Sequence, residues 1–291
     1  MEANDFCNKI FCGDSRQILT DIPAQSVDCV VTSPPYFNQR DYKKKNQIGN
    51  ESSIDDYIDG LVGVFSQCRR LLKNTGTFWL NLGDKYQDGH LLGLPWRVAV
   101  KLVESSWILR SDIIWHKPNA MPHSVKNRPT TDHEYIFLFS KTQDYYYDAD
   151  AIREPHVTFS EKSKMRGGRN HFGKRNGTPE RGKNEGDNNL HDGRWDQAFH
   201  PAGRNKRTVW SVPLGKCREA HFAVFPEKLI EPCILAGAPS GGLVLDPFLG
   251  SGTVAAVAKS LSRLYVGIEL NPEYVAMARR RVDTISQPLF S

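Results

Sequence analysis

The chain has 291 residues, of which 39% are hydrophobic and 24% charged, with a formal net charge of +5. This composition is typical of a globular protein with one large or two small domains, and no apolar run of about 18 residues is long enough to span a membrane. The N-terminus has no basic region followed by an apolar core, and the six cysteines include no C-x-x-C pair. We therefore expect a cytoplasmic protein with reduced thiols and no metal site.

The N-terminal half alternates strand and helix patterns. IFCGD and the continuously apolar VDCVVT predict strands, the second buried in a parallel sheet, and SRQILTDI between them predicts a short helix. A polar loop at 37–53 precedes a predicted helix over IDDYIDGLVGVFSQCRRLL, which should end at the NTG of 74–76. GTFWLNLGD, WILRSDIIWHK and EYIFLFSK predict three more strands, with a helix over LPWRVAVKLVESS between the first two.

Residues 153–210 differ in kind from the rest. They contain eight glycines, 13 Lys/Arg and 7 Asp/Glu, so that the remainder of the chain is close to neutral. Little in this segment can pack. We interpret it as an insertion into a catalytic domain formed by 1–152 and 211–291, and its basic character suits a polyanionic partner, although a solvated loop has similar composition.

The C-terminal part resumes the alternation. After VWSVPL, the sequence predicts a helix over HFAVFPEKLIEPCILAG, a strand over GGLVLDPF and a helix over GTVAAVAKSLS. RLYVGIEL then predicts a strand and NPEYVAMARRRV a final helix. Alternation on this scale predicts a doubly wound, mostly parallel α/β sheet.

LVLDPFLGSGT combines a strand that ends in an acid, a glycine-rich turn and the start of a helix. Glycines let a ligand approach the backbone, and a helix N-terminus offers N–H groups to an anion. The next strand ends in Glu269, where an acid can hydrogen-bond both hydroxyls of a ribose. The Pro-Phe pair after Asp246 departs from the dinucleotide fingerprint. The motif predicts a nucleoside-bearing ligand with a carboxylate, the alternative being a purely structural turn.

The tetrapeptide Ser33-Pro34-Pro35-Tyr36 follows the strand VDCVVT. An exocyclic amine of a nucleobase is a poor nucleophile, because its lone pair is delocalised into the ring. Two acceptors, Ser33 Oγ and the Pro34 carbonyl, can draw the amine toward tetrahedral geometry, since the prolines hold the chain extended. Tyr36 offers a surface on which the base can stack. A Pro-Pro turn without chemistry is the alternative.

Together the two motifs resemble those of the DNA amino-methyltransferases that use S-adenosylmethionine. TSPPY is similar to their [DNS]-P-P-Y catalytic motif, and DPFLGSGT is similar to their cofactor loop. The catalytic motif comes first and the insertion lies between the two, which is the order of the permuted beta group. The resemblance implies a seven-stranded, Rossmann-like methyltransferase sheet. It also implies S-adenosylmethionine as cofactor and double-stranded DNA as partner, with the target base flipped out of the helix.

The resemblance also implies site residues. The catalytic set is Ser33, Pro34, Pro35 and Tyr36. The cofactor set comprises Asp14, His221, Phe222, Pro226, Asp246, Pro247, Phe248, Gly250, Ser251, Gly252, Thr253, Glu269 and Asn271. Before the insertion, a segment similar to one recurrent in the family contributes to the DNA cleft His116, Lys117, Asn119, Lys126 and Arg128.

Further basic residues fall in two stretches that we expect to contact DNA. The loop after the catalytic motif contains Arg40, Lys43, Lys44 and Lys45, which can clamp phosphates or simply be solvated. The insertion is the expected target-recognition region, with Arg166, Arg169, Lys174, Arg175, Arg204, Lys206 and Arg207 available for phosphates or guanine edges. Phe37 is expected as a second apolar wall beside the flipped base, whereas Asp84 either faces the site or ends a strand.

The serine of the tetrapeptide favours the N4 amine of cytosine. Within the family SPPY is commonest among N4-cytosine enzymes and DPPY among N6-adenine enzymes, but the same acceptors suit either amine. N6 of adenine therefore stays open, as do an RNA or protein-amide methyltransferase and a non-catalytic DNA-binding module. Carbon-5 methylation needs a cysteine nucleophile, and Cys233 in LIEPCILAG is better explained as a packed thiol. A restriction endonuclease partner and a monomer or homodimer are compatible with this reading.

Overall fold

A computed structural model of the chain describes residues 5–39, 47–122, 124–156, 202–215 and 225–286. The chain divides into two compact units, one of Met1–Asp148 with Arg207–Ser291 and the other of Ala149–Lys206. Outside the described residues lie these candidate site residues: Arg40, Lys43, Lys44, Lys45, Arg166, Arg169, Lys174, Arg175, His221 and Phe222. Within the described part of the chain, no helix has the length and apolarity needed to cross a membrane.

The larger unit is built on an eight-stranded sheet with the order β1-β10-β9-β2-β3-β7-β6-β8. Its strands are β1 (Lys9–Cys12), β2 (Val27–Thr32), β3 (Leu72–Leu82), β6 (Ile108–His116), β7 (His133–Ser140), β8 (Val209–Ser211), β9 (Leu243–Asp246) and β10 (Leu264–Glu269), while β4 (Tyr86–Gln87) pairs separately with β5 (His90–Leu91). Only β7, among these eight, runs against its neighbours. The doubly wound, mostly parallel α/β prediction is confirmed, with one strand more than the expected seven because β8 pairs with β6.

Helices cover both faces of the sheet. They are α1 (Ser15–Asp21), α2 (Ile54–Leu71), α3 (Leu94–Glu104), α4 (Glu227–Gly237), α5 (Thr253–Ser260) and α6 (Pro272–Asp283), and Asp150–Ile152 forms a 3-10 turn in the smaller unit. Alternate residues of β3 show the two faces: Phe78 and Leu80 join the core with α2, whereas Thr77 Oγ1 donates to the carbonyl of Gly237 in α4. This division follows from the period of two in a strand.

Two boundaries differ from the sequence prediction. Helix α2 ends at Leu71, before the NTG stretch at which it was expected to end, and β3 begins at Leu72 and includes that stretch. Helix α4 begins at Glu227 rather than within HFAVF, because Pro226 precedes it with an extended ψ of 148°. The extended backbone of Pro226 marks this boundary, whereas Pro232 lies inside α4 itself, so a proline alone does not determine where this helix begins.

The two chemical motifs leave the sheet at its topological switch point. Strands β9 and β2 are neighbours, but the chain crosses from β9 through α5 to β10 on one side and from β2 through α2 to β3 on the other. The diverging connections leave a crevice at the carboxyl ends of these strands, which is where open α/β sheets bind their ligands. Ser33 follows β2 and Pro247 follows β9 at this crevice.

Candidate active site

One cavity at the switch point is lined by both motifs. The cavity is lined by Asp14 at the start of α1 and by Ser33, Pro34, Pro35 and Tyr36 of the proline motif. The lining residues of the glycine turn and the strand end beside it are Pro247, Phe248, Gly250, Ser251, Thr253 and Glu269. The side chains that the sequence assigned to chemistry and to a nucleoside ligand thus share one site.

A hydrogen bond beneath the cavity joins the two motif-bearing strands. Thr32 Oγ1 donates to Asp246 Oδ1 at 2.6 Å, and the backbone N–H of Phe248 donates to the same oxygen at 2.9 Å. Both Thr32 and Asp246 are 1% exposed. Burial raises the pKa of Asp246 to about 7, although these two hydrogen bonds lower it. Asp246 therefore acts as a buried link between strands and does not line the cavity.

The glycine turn has a conformation and a packing that require glycine. Gly250 and Gly252 have φ values of 54° and 86°. A Cβ on Gly252 would lie 2.7 Å from the Cβ of Ala278, so this residue lets the start of α5 approach α6. At Gly250, by contrast, a Cβ would have no described protein atom within 4 Å other than those of its chain neighbours. The turn is therefore closed toward α6 and open at Gly250, where a ligand can approach the backbone.

Glu269 holds this turn from the next strand. Its Oε2 accepts the backbone N–H of Gly250 at 2.9 Å, and its Oε1 accepts that of Asn271 at 2.7 Å. Burial raises the pKa of the Glu269 carboxyl, which is 8% exposed, while the backbone hydrogen bonds oppose that rise. A carboxylate has about four acceptor positions, so each oxygen retains capacity for a ligand hydroxyl. The arrangement fits a ribose.

The start of α1 also lines this ligand region, through Asp14, Ser15 and Arg16. Asp14 caps α1 by accepting the backbone N–H of Arg16 at 2.9 Å and also pairs with the Arg16 guanidinium at 2.6 Å. Burial raises the pKa of Asp14, but the bonds and charge of Arg16 outweigh it, so the net pKa is lowered. The hydroxyl of Ser15 donates to the carbonyl of Pro247, which ties α1 to the glycine turn.

A hydrogen bond from α2 holds the proline turn in place. The hydroxyl of Tyr57 donates to the Pro35 carbonyl at 2.9 Å, whereas within the described ranges no group donates to the Pro34 carbonyl. Ser33 Oγ lies 3.4 Å from the hydroxyl of Tyr36, which in turn donates to Glu134 Oε2 at 2.8 Å. Burial, and then the charge of Glu134, raise the pKa of Tyr36 well above its usual value. Ser33 and Pro34 both line this end of the cavity, and within the described ranges neither the Ser33 hydroxyl nor the Pro34 carbonyl accepts a hydrogen bond.

Two residues that line the cavity near the proline turn, Glu134 and Trp115, were not expected from the sequence, and both contact Lys117, which was predicted for the DNA cleft. Glu134 accepts a hydrogen bond from Lys117, whose ammonium lies 4.5 Å from the ring centroid of Trp115. Glu134 stands near the start of β7. Because β7 is antiparallel, its first residues lie at the same edge as the last residues of the other strands. Recognising that EYIFLFSK runs antiparallel would have placed Glu134 here.

Four residues of the proposed cofactor set lie near the cavity without lining it. Asp246 is the buried link described above, Gly252 caps α5, and Asn271 caps α6 by accepting the backbone N–H of Glu273 at 2.9 Å. Pro226 precedes α4, and its neighbour Phe225 lines the cavity in its place.

Other expectations are settled by packing. The expectation that Phe37 forms a wall beside the base is wrong, since it is 3% exposed and its ring packs against Tyr57 with centroids 5.5 Å apart. Asp84 lies two residues beyond the end of β3, and its carboxylate accepts the first backbone N–H of α3, that of Leu94, at 3.2 Å. Cys233 is confirmed as a packed thiol, 1% exposed within α4.

The candidate DNA-binding residues that the structure describes fall into two groups. In the larger unit, His116 lies 2.9 Å from Ser211 Oγ, and Asn119 bonds both backbone groups of Leu214, so these two order the segment after β8. The others are the cavity residue Lys117, the exposed Lys126, Arg128 stacked 3.8 Å from the Tyr86 ring, and Arg207. Lys206 belongs to the smaller unit with Arg204, which pairs with Glu154 at 3.0 Å. DNA contact by any of them stays a prediction.

The protein has a Rossmann-like sheet in which a glycine turn and a hydroxyl-bearing proline turn line one crevice, an arrangement that suits the class of group-transfer enzymes. Comparison with known proteins narrows this class. Residues 27–280 match the N6/N4 methylase family model, described as DNA methylase. The chain is 41% identical to the type II methyltransferase M.Cfr9I of Citrobacter freundii, over 94% of this chain and 87% of the relative. It is 39% identical to M.SmaI of Serratia marcescens, another type II methyltransferase, over 97% and 93%.

Solved structures agree on the fold. The PvuII DNA methyltransferase (cytosine-N4-specific) superposes with a TM-score of 0.69 at 23% identity, covering 96% of this chain and 88% of that one. A Thermus thermophilus protein, described as a putative DNA modification methylase and complexed with S-adenosyl-L-methionine, gives 0.60 at 25% identity and 96% coverage of both. The chain belongs to the DNA methylase family, and it is a DNA methyltransferase, as the two motifs indicated.

Proposed function

We propose that this DNA methyltransferase transfers a methyl group from S-adenosylmethionine to the N4 amine of a cytosine flipped out of duplex DNA. The observation that carries the proposal is that the Ser33–Tyr36 turn and the glycine turn line one cavity. The hydrogen bond from Thr32 to Asp246 holds the two turns in register beneath it. Donor and acceptor sites so close together suit direct transfer from one bound molecule to the other.

The glycine-turn side of the cavity is the proposed cofactor site. S-adenosylmethionine, when bound, supplies an electrophilic methyl group. Glu269 would accept hydrogen bonds from the ribose hydroxyls, and Asp14 would lie on the adenine side. The open backbone at Gly250 and the helix N-terminus at Thr253 suit the methionine part and its carboxylate. The cofactor bound by the Thermus thermophilus protein supports this assignment.

The proline-turn side is the proposed site of the target amine. Ser33 Oγ and the Pro34 carbonyl would accept its two N–H groups, which localises the nitrogen lone pair. The amine nitrogen would form a bond to the methyl carbon as the carbon–sulfur bond breaks, leaving S-adenosylhomocysteine, and the methylated nitrogen would then release one proton to water. Because the first residue of the tetrapeptide is serine rather than aspartate, the N4 amine of cytosine is the favoured target over N6 of adenine.

A base inside a duplex cannot reach this cavity, so the target must be extruded at a cost of a few kcal/mol. Stacking on Tyr36, worth about 1–3 kcal/mol per base in comparable aromatic contacts, would offset much of that cost. We assign sequence recognition to the basic insertion at 153–210 and DNA contacts around the cavity to Lys117, Lys126 and Arg128. A restriction endonuclease of the same specificity is the proposed counterpart in a restriction–modification pair.

Nucleoside analysis tests the proposal directly. The enzyme is incubated with duplex DNA of mixed sequence and methyl-labelled S-adenosylmethionine, and the DNA is digested and resolved by mass spectrometry. We expect labelled N4-methyldeoxycytidine. Labelled N6-methyldeoxyadenosine would move the target to adenine, and label at carbon 5 of cytosine, or in RNA but not DNA, would contradict the chemistry proposed for Ser33.

A matched pair of serine variants assigns the chemistry to the proline turn. Ser33→Ala should abolish transfer while cofactor binding survives. Ser66→Ala makes the same change at an exposed serine of α2, away from the cavity, and should transfer normally. Equal activity of the two variants would contradict the role of Ser33.

A further inference from the structure

A line of hydrogen bonds ends at the proposed acceptor Ser33. Lys117 donates to one oxygen of Glu134, the Tyr36 hydroxyl donates to the other at 2.8 Å, and Ser33 Oγ lies 3.4 Å from the Tyr36 hydroxyl. All four side chains line the cavity. The line therefore runs along the wall of the cavity to the atom that would meet the target amine.

The chemistry of the groups fixes the direction of every bond in this line. An ammonium can only donate a hydrogen bond and a carboxylate can only accept one, so the Tyr36 hydroxyl must donate its hydrogen bond to Glu134. The high pKa of Tyr36 keeps that proton on the phenol near neutral pH. The Tyr36 oxygen then has only lone pairs left for Ser33, so Ser33 donates to Tyr36. As a result Ser33 presents lone pairs, not a proton, to the cavity.

We propose that Glu134 is a positioning residue that, through Tyr36, keeps Ser33 oriented as an acceptor for the N–H of the target amine. The inference rests on the proposed function and adds to it Glu134, a residue outside the Ser33–Tyr36 tetrapeptide. The 3.4 Å separation of Ser33 and Tyr36 is long for an O–H···O bond. Such contacts commonly shorten when the substrate enters, and we expect this one to do so.

Packing holds the line in place. The side chains of Lys117 and Glu134 are only 15% and 14% exposed, so their ion pair is shielded from water. Gly83, just beyond β3, leaves room for the line: a Cβ there would lie 2.9 Å from Cε2 of Tyr36 and 3.1 Å from Cδ of Glu134. The positive charge of Lys117 also offsets that of the Glu134 carboxylate, so Glu134 can orient Tyr36 without leaving an unpaired anion in the cavity wall.

Replacing Glu134 by glutamine should reverse the direction of the hydrogen bonds that join residue 134, Tyr36 and Ser33. Lys117 can only donate, so the amide oxygen of glutamine would face Lys117 and the amide nitrogen would face Tyr36. Tyr36 would then donate to Ser33, and the Ser33 proton would turn toward the target amine. We expect E134Q to lower the single-turnover rate of methyl transfer about ten- to hundredfold, the loss of one charge-assisted hydrogen bond, with affinity for S-adenosylmethionine within about threefold of wild type.

A double-mutant cycle separates this role from a structural one. In a Tyr36→Phe background the line is already broken, so adding E134Q should cost less than about threefold. E134D keeps an acceptor-only carboxylate and should transfer faster than E134Q. The control is Glu104→Gln, the same change at a 62% exposed glutamate whose lysine partner, Lys101, is 3.8 Å away, and it should behave as wild type.

Rates are expressed per cofactor-binding site, so that a fraction of unfolded variant does not distort them. The inference is overturned if E134Q transfers at the wild-type rate, if it costs the same in both backgrounds, or if E134D is slower than E134Q. A wild-type enzyme that transfers no methyl group to DNA would instead contradict the proposed function. The two failures are therefore distinct.

Discussion

The buried carboxyl of Asp246 should make the stability of this protein depend on pH in a way that one substitution removes. Asp246 Oδ1 accepts hydrogen bonds from Thr32 and from the backbone of Phe248, and the side chain is 1% exposed. Asparagine at this position keeps an oxygen that can accept both bonds but cannot ionise. D246N therefore isolates the cost of burying the charge.

The magnitude follows from the pKa. Burial raises the pKa of Asp246 from 3.8 to about 7, so the unfolded chain releases this proton at a lower pH than the native protein. The wild type accordingly loses stability as the pH rises from about 4 to about 7, and the loss is complete above that range. At about 1.36 kcal/mol per pKa unit the full effect is roughly 4 kcal/mol, of which about 2–3 kcal/mol falls between pH 5 and pH 8.

Urea unfolding of both proteins across that pH range measures the effect. The free energy of unfolding of D246N, minus that of the wild type, should increase by about 2–3 kcal/mol from pH 5 to pH 8. Taking the difference removes the titration of all other groups. A difference that stays constant, or that decreases with pH, would refute the argument that burial penalises the Asp246 charge.

Three further changes test the turn, the ribose acceptor and the proline turn. Gly252→Ala places a Cβ 2.7 Å from that of Ala278 at a φ of 86°, whereas the control Gly89→Ala has a φ of 81° but open space around its Cβ. In urea unfolding, Gly252→Ala should lower the free energy of unfolding by about 1–3 kcal/mol more than Gly89→Ala, and equal losses would contradict this. Glu269→Gln can accept only one of the two backbone N–H groups, and calorimetry should show about tenfold weaker S-adenosylmethionine binding, whereas unchanged affinity would argue against the ribose role. Tyr57→Phe releases the second proline carbonyl and should cost about 1 kcal/mol of stability and slow transfer, and a variant with wild-type stability and rate would show that this bond is unimportant.

The sequence was sufficient to bring the two motifs together. VDCVVT and LVLD are each continuously apolar, as buried parallel strands are, and the carboxyl ends of parallel strands meet at one edge. This rule agrees with the shared site for Ser33 and Gly250 that the resemblance to the amino-methyltransferases implied. The acid at the end of the next strand, Glu269, was predicted from the pattern of strand, glycine turn, helix and strand that nucleotide-binding sheets have.

What the sequence did not provide was the direction and the facing of individual side chains. The direction of β7 is set by its pairing with distant strands, so its local pattern of aromatic residues did not place Glu134 at the cavity. Asp246 ends its strand as expected, but it faces Thr32 and not the ligand space. Phe37 follows the proline turn, where only the packing of α2 decides that its ring turns inward against Tyr57. Each of these outcomes depends on tertiary contacts between residues far apart in the chain.

The claim that a flipped cytosine and the cofactor meet in this crevice is tested most directly by a crystal structure with duplex DNA and S-adenosylhomocysteine. We expect the exocyclic nitrogen of an extruded cytosine to lie about 3 Å from both Ser33 Oγ and the Pro34 carbonyl, with the sulfur beside the glycine turn. A cytosine that remains stacked in the duplex, or a sulfur bound away from Gly250, would contradict the claim.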